Sequence, residues 1–156
     1  MYPNSTQAET KYKGVRGWLM LFCIIITVIN PLITVFNFVS GYNAYIPYFN
    51  HFPGLLKVFI IDFVLCIALT SISIYAGISL WMIRTNAVKI AKIYLLVFLC
   101  YSILGIFLPF MTGLQFEGSE VMIVEVVKAP FAAFIFIAIW YSYLNKSKRV
   151  KATYET

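Results

Sequence analysis

The 156-residue chain carries few charged side chains, since Asp, Glu, Lys and Arg together make up only 12% of it. Soluble domains carry about 25%. Hydrophobic residues reach 62%, against roughly 45–50% apolar residues in soluble domains. So few charges could not cover the surface that such an apolar chain would expose to water. The composition excludes a soluble enzyme, a secreted disulfide scaffold and a disordered protein, and it predicts an integral membrane protein.

The residue types that carry catalysis or bind metals are also scarce. His51 is the single histidine, which excludes a site built from two histidines, and the three cysteines form no Cys-x-x-Cys pair. Gly-rich phosphate loops, nucleophile elbows and His-Glu-x-x-His motifs are absent from the sequence. We therefore expect no enzymatic activity, no metal, no cofactor and no structural disulfide. We interpret His51 as a residue of an interfacial loop.

The sequence contains four long apolar runs. A helix needs about 20 apolar residues to cross the ~30 Å hydrocarbon core of a membrane, and the runs at 18–39, 58–83, 93–111 and 121–144 all approach or exceed this length. They are continuous rather than alternating, which favours helices over barrel strands. The sequence predicts an all-α membrane protein: one four-transmembrane-helix bundle at 18–144, with tails at 1–17 and 145–156.

Basic residues are concentrated on one side of the predicted bundle. The two tails and the connection between the second and third spans carry ten of them: Lys11, Lys13, Arg16, Arg84, Lys89, Lys92, Lys146, Lys148, Arg149 and Lys151. The other side has only Lys57, at the membrane edge. Because basic loops stay on the cytoplasmic side, we expect both termini to be cytoplasmic. The basic C-terminal tail could also bind anionic lipid, whereas no folded basic module for nucleic acid is present.

Polar and small residues recur at helical spacing within the first two spans. At about 100° per residue, each set falls on one face of its helix; the sets are Thr27, Asn30 and Thr34, and Thr70, Ser73 and Gly77. We favour helix packing for these stripes, because small residues let helices approach and hydroxyls bond across the contact. The alternative is that the stripes line a polar cavity. Pro31 predicts a kink near residues 27–30.

Three ionisable residues fall inside predicted spans, namely Asp62, Glu125 and Lys128. Such residues are costly in a membrane and often functional. All three are predicted near the outer end of their spans, so they can meet, and Glu125 and Lys128 are i,i+3 neighbours. We favour a structural ion cluster in which Asp62 balances Lys128. The alternative is a cation or proton site open to the outside.

Aromatic residues mark the ends of the predicted spans. Interfacial belts of Trp and Tyr are typical of membrane helices. The residues interpreted in this way are Trp18, Trp81, Tyr94, Trp140, Tyr141 and Tyr143.

A distinct motif stands near each end of the chain. The entry reads Lys-Gly-Val-Arg-Gly-Trp-Leu-Met-Leu from Lys13, and the exit reads Ser-Lys-Arg-Val-Lys-Ala-Thr from Ser147. The entry is similar to the Gly-Trp-Leu start, and the exit to the closing motif, of a family of small bacterial membrane proteins, the domain of unknown function 2569 family. The resemblance implies four helices in the bacterial cytoplasmic (inner) membrane, and it implies no activity, ligand or catalytic residue.

Two functions follow from these patterns. We favour a non-enzymatic accessory or structural subunit that binds other membrane proteins, or a second copy of itself, through helix faces. The alternative is a small oligomeric transporter or channel that uses the ionisable residues. The bilayer is the expected environment in both cases.

Overall fold

The computed structural model describes residues 14–51, 53–108 and 120–154, with side chains for all of these except residues 53 and 120–129. This part of the chain is helical and contains five helices. Four are long: α1 at Trp18–Tyr48, α2 at Pro53–Trp81, α3 at Ala87–Phe107 and α4 at Glu120–Lys146. The fifth, α5, is a short helix at Lys148–Tyr154. Each long helix packs on the next one along the chain.

Three of these helices, α1, α2 and α3, are long and apolar enough to cross a membrane. The helical prediction is thus confirmed for the described residues, and three helices have the length and composition of membrane spans. Helices α1 and α2 have 31 and 29 residues, where about 20 suffice. Helix α1 continues past its predicted span to Tyr48, and near this end the rings of Tyr42, Tyr45 and Phe49 pack on Phe59 of α2. Helix α2 begins five residues before its predicted span. Helix α4 includes the fourth predicted span, 121–144.

Helix α1 changes its hydrogen-bond register in the middle. Residues Ile25–Ile29 form a π-helical turn, and the Asn30 N–H donates to the carbonyl of Ile25, five residues back. The next residue in this register is Pro31, which has no N–H to give to the carbonyl of Ile26. The wide turn lies where the sequence predicts a kink, and it leaves the Ile26 carbonyl free for another donor.

The connection between α2 and α3 is a tight turn. Helix α2 ends in a Schellman motif: the Arg84 N–H donates to the carbonyl of Ser79, and the Ile83 N–H donates to that of Leu80, both at 3.2 Å. Ile83 has a φ of 50°, a left-handed conformation that glycine usually fills because a β-branched side chain is strained there. The turn therefore reverses the chain within a few residues and sets α3 antiparallel to α2.

The densely packed core lies at one end of the bundle, which we call the terminal end because both described chain ends reach it. Its largest buried side chains include Leu19, Phe22, Ile26, Leu80, Tyr94, Leu95 and Val150. Trp140 of α4 stacks on Phe22 of α1 with ring centroids 4.6 Å apart. Close packing of this kind is what holds helices together in a membrane. It joins α1 and α4 at this end.

Two residues interpreted as interfacial belt residues belong to this core instead. Tyr94 is 1% exposed and Trp140 is 6% exposed. Helix α3 begins at Ala87, well before the predicted span at 93, so Tyr94 lies inside the helix rather than at its edge. Trp18 and Trp81 are exposed, as a belt requires.

Most of the predicted C-terminal tail is folded. Helix α5 packs on the terminal end through three buried side chains, Val150, Thr153 and Tyr154. The Tyr154 hydroxyl donates to the carbonyl of Leu80 at 2.7 Å, and the Gly14 N–H donates to the Thr153 hydroxyl at 3.1 Å. The basic residues of this segment conceal the i, i+3, i+4 pattern of its buried face.

The opposite end, which we call the distal end, is held by aromatic contacts between α1 and α2. Phe59 is central to them: its ring centroid lies 4.8 Å from that of Phe38, 5.7 Å from that of Phe49 and 5.8 Å from that of Tyr42. No side chain of the distal segment of α1, Asn30–Tyr45, is buried. The described part of the bundle is thus closed at its terminal end and loosely packed toward its distal end.

Candidate functional site: a cavity in the distal half of the bundle

A cavity of about 880 Å³ lies between α1, α2, α3 and α4, on the distal side of the core. Along α1 it extends from Asn30 to Tyr45, and along α2 from Ser73 to Phe59. That is about 20 Å of helix at 1.5 Å per residue. Apolar and aromatic side chains form much of the described wall. Its polar residues are Asn30, Thr34, Asn37, Tyr45, Asp62, Cys66, Thr70, Ser73, Tyr94, Tyr101 and Ser102.

Two hydrogen bonds between helices close the inner end of the cavity. The Ser73 hydroxyl of α2 donates to the carbonyl of Ile26 at 2.6 Å. This is the carbonyl that Pro31 leaves without a partner in the π-helical register, so α2 supplies the missing donor. The Asn30 amide of α1 donates to the Tyr94 hydroxyl of α3 at 2.9 Å. The irregular turn and these bonds form the floor of the cavity.

Asp62 is held on the wall by a chain of hydrogen bonds. The Tyr101 hydroxyl of α3 donates to Oδ1 of Asp62 at 2.8 Å, and Sγ of Cys66 lies 2.9 Å from the same hydroxyl. A phenol has one hydrogen to donate, so the Cys66 thiol is the donor in the second bond. The carboxylate keeps acceptor positions that these bonds do not use. No basic residue is among those described as lining the cavity.

Aromatic rings form a large part of the remaining wall. Phe38 and Phe59 line the side formed by α1 and α2, and Phe98 and Phe136 line the side formed by α3 and α4. The rings of Phe98 and Phe136 meet edge to face with centroids 6.2 Å apart. Aromatic faces pack against apolar groups and also attract cations. The wall thus combines one carboxylate with several π surfaces.

The stripe residues divide between this cavity and the core. Asn30, Thr34, Thr70 and Ser73 line the cavity. Thr27 and Gly77 pack against each other toward the terminal end: a Cβ added at Gly77 would overlap the Thr27 hydroxyl and lie 3.0 Å from the Thr27 Cβ. The hydroxyls of Thr27 and Thr34 donate to the carbonyls four residues back in α1, at 2.6 and 2.9 Å.

Of the predicted ion cluster, the structure places Asp62. The side chains of Glu125 and Lys128 lie outside the part of the chain that it describes, so a meeting of the three residues stays a prediction. Within that part, no three His, Cys, Asp or Glu side chains group as a metal site would require. The cysteines there are free: Cys23 is buried, Cys66 is half-buried and Cys100 is exposed. His51 is exposed in the connection between α1 and α2.

Sequence reasoning did not assign Tyr94 and Tyr101 to the site. Together with Phe98 they are spaced by four and three residues, so at about 100° per residue they share one face of α3. This spacing was the available signal. It did not reveal that the face points at Asp62, because the rotation of α3 relative to α2 depends on contacts between the helices.

A family model described as "Protein of unknown function (DUF2569)" matches residues 12–155. No curated protein and no solved structure matches the chain. The family match includes every helix of the described part of the chain.

Proposed function

This chain belongs to the DUF2569 family of proteins of unknown function, and we propose that it is a non-enzymatic membrane protein that binds a small molecule in its distal cavity, as a small transporter would. The observation that supports this proposal most strongly is a cavity of about 880 Å³ with the Asp62 carboxylate on its wall. Cavities of about 300–1,000 Å³ with a few polar groups are typical of small-molecule sites.

The contrast between the two ends of the bundle supports binding over simple packing. At the terminal end, buried aromatic and aliphatic side chains fill the space between the helices. On the distal side, polar residues line open space. A carboxylate or an amide inside a membrane is costly unless polar partners satisfy it, and water or a ligand bound in the cavity would supply such partners.

The proposed arrangement is a four-span bundle in the bacterial cytoplasmic membrane, with both termini inside. Helix α4 has 27 residues, about 40 Å at 1.5 Å per residue, which suffices for a fourth span. Apart from Lys57, the described basic residues outside the predicted spans all lie in segments of the terminal end. The positive-inside rule therefore assigns that end to the cytoplasm. The cavity then lies in the outer half of the membrane.

The basic terminal end also supports the proposed contact with anionic lipid. Helix α5 buries one face and exposes Lys148 and Lys151, while Lys146 and Arg84 are exposed on neighbouring segments. Each such residue near an anionic membrane surface contributes about 1 kcal/mol. We propose that this contact holds the terminal end at the cytoplasmic headgroups.

A second candidate is the accessory subunit that binds another membrane protein. The observation that favours it is the distal segment of α1, which exposes large apolar side chains such as Leu32 at 64%, Val35 at 60% and Phe36 at 71%. These residues contribute no core packing within the described chain, so they form a face on which a helix of another subunit could pack.

Native mass spectrometry of protein purified in lipid nanodiscs tests the first candidate. Ser102→Trp would fill the cavity from α3, because Ser102 lies on its wall. Leu104→Trp, on the exposed side of the same helix, is the matched control. We expect a small molecule to accompany the parent protein and Leu104→Trp and to be lost from Ser102→Trp.

A stoichiometric protein partner in place of a small molecule, retained by both variants and lost on a Phe36→Ser change, would favour the accessory role. Small molecules bound equally by both tryptophan variants would contradict binding in the cavity.

A further inference from the structure

We infer that the ligand of this cavity is an organic cation with one positive charge and an apolar body, the charge seated at Asp62 and the body against the aromatic wall. The inference rests on the proposed function of the cavity and adds the chemical class of its ligand.

The charge of the ligand follows from the wall. Asp62 is the one acidic residue among those described as lining the cavity, and no basic residue is among them. In surroundings of low dielectric, an anionic ligand would be repelled by this carboxylate and would meet no positive counter-charge among the described wall residues. One positive charge on the ligand would balance the carboxylate.

The geometry of Asp62 suits an organic cation better than a bare metal ion. Calcium takes six to eight oxygen ligands and magnesium demands an octahedral set, whereas the described wall offers one carboxylate beside neutral hydroxyls and amides, and no three His, Cys, Asp or Glu side chains group among the described residues. Tyr101 fixes one oxygen of that carboxylate, at 2.8 Å, and Cys66 in turn donates to Tyr101. The unused acceptor positions of the carboxylate remain for a cationic group of the ligand.

The size and chemistry of the cavity call for an apolar body. About 880 Å³ far exceeds the space that a bare ammonium group needs, so a small cation alone would leave the aromatic wall without contacts. Phe59 lies three residues before Asp62 and on the same helix face, with Phe38 packed on it at 4.8 Å between ring centroids. Aromatic rings beside a carboxylate attract organic cations through both cation–π and apolar contacts.

Equilibrium binding of radiolabelled tetraphenylphosphonium to the full chain in nanodiscs tests the inference, with empty nanodiscs as the blank. Two unlabelled compounds with similar apolar surfaces are tested as competitors. Tetraphenylborate carries one negative charge, and triphenylphosphine oxide carries no net charge. We expect saturable binding of tetraphenylphosphonium and affinities for the two competitors that are lower by at least about tenfold, because only the cation gains an ion pair in a partly buried site.

Asp62→Asn should lower the affinity for tetraphenylphosphonium by at least about tenfold, and Asp62→Glu should retain most of it. Lys89→Gln, at the terminal end, changes the net charge without touching the cavity and should leave the affinity unchanged. Thermal unfolding of each variant shows whether it is folded. Should Asp62→Asn not fold, the comparison of the three probes on the parent protein tests the charge preference by itself.

Equal affinity for the three probes, equal affinity of the parent and Asp62→Asn, or no saturable binding of tetraphenylphosphonium would overturn the inference. None of these results contradicts the proposed function. That function is tested by whether a small molecule accompanies the parent protein and is lost from Ser102→Trp. A ligand recovered in that experiment that is neutral or anionic would overturn the inference and leave the proposed function intact.

Discussion

The hydroxyl of Tyr101 on α3 lies 2.8 Å from Oδ1 of Asp62 on α2, and this hydrogen bond joins the two helices at the wall of the distal cavity. The partner that the structure gives to Asp62 is therefore a neutral donor. A neutral donor orients a carboxylate and brings no positive charge of its own to it, so the carboxylate can still pair with a cationic ligand.

The first prediction separates a ligand site from a structural ion pair at Asp62. Without ligand, we expect Asp62→Asn to change the free energy of unfolding by less than about 1 kcal/mol or to stabilise the protein, because it removes a desolvated charge. Breaking a buried pair with Lys128 would instead cost about 3–5 kcal/mol. Denaturant unfolding in detergent measures the difference. A large loss that Lys128→Met restores would establish the structural pair.

The second prediction compares two buried serines of α2. The Ser73 hydroxyl donates to the carbonyl of Ile26, whereas the Ser79 hydroxyl has no hydrogen-bond partner among the described residues. Ser73→Ala should therefore destabilise the protein by about 1–2 kcal/mol, since it leaves a buried carbonyl unsatisfied. Ser79→Ala should be neutral or stabilising, because it removes an unpaired hydroxyl. Equal melting temperatures of the two variants would contradict the role assigned to Ser73.

The third prediction uses two glycines within helices. Gly77 packs on Thr27, and an added Cβ would overlap that side chain, whereas nothing lies within 4 Å of a Cβ added at Gly105. Gly77→Ala should cost about 1–3 kcal/mol by overpacking. Gly105→Ala should gain about 0.5–1 kcal/mol from helix propensity. Thermal unfolding of both variants provides the test, and a stabilising Gly77→Ala would show that α1 and α2 do not approach closely there.

The fourth prediction concerns pH and helix α5. Burial raises the pKa of Tyr154 above its ordinary value. As pH rises past about 10, the phenol ionises in the unfolded chain while it stays neutral in the folded one. Its contribution to stability is therefore complete below that pH and declines above it. We expect the parent to be more stable than Tyr154→Phe at pH 8 and the difference to shrink between about pH 10 and 11. A difference that does not change with pH would contradict the burial of Tyr154.

Composition and apolar runs were enough to predict membrane-spanning helices, because in a membrane a long apolar run satisfies its own backbone hydrogen bonds as a helix.

The cavity could not be predicted from the sequence, because it depends on how the helices are placed relative to one another. The stripe from Asn30 to Thr34 has the spacing of a packing face, and only the position of α4 decides that it lines open space. The contact between Trp140 and Phe22 brings α4 onto α1 at the terminal end. No local pattern announces this contact between residues more than a hundred positions apart.

The Tyr101–Asp62 bond could not be predicted from the sequence either, because it also depends on how two helices are oriented. Each residue is visible as a polar group in an apolar run, but their meeting depends on the rotation of α3 against α2. The rotation of α3 is tied in part to α1, because the buried Tyr94 hydroxyl accepts a hydrogen bond from the Asn30 amide. Helix α5 was not predicted, because three buried residues among basic ones are too few to distinguish a docked helix from a solvated tail.

The three native cysteines give the most direct test of a water-accessible cavity in the distal half of the bundle. Cys66 lines the cavity, Cys23 is buried in the core, and Cys100 is exposed on the outer side of α3, which faces lipid in a membrane. Each cysteine is kept in turn, with the other two changed to serine, and its rate of reaction with the trimethylammonium-ethyl methanethiosulfonate reagent is measured in membranes. We expect Cys66 to react at least about tenfold faster than Cys23 and Cys100, because the reaction needs both water and access to the thiol. We also expect Asp62→Asn to lower the rate at which Cys66 reacts with this cationic reagent more than its rate with a neutral reagent. A Cys66 rate no higher than those of Cys23 and Cys100 would contradict a ligand-accessible cavity.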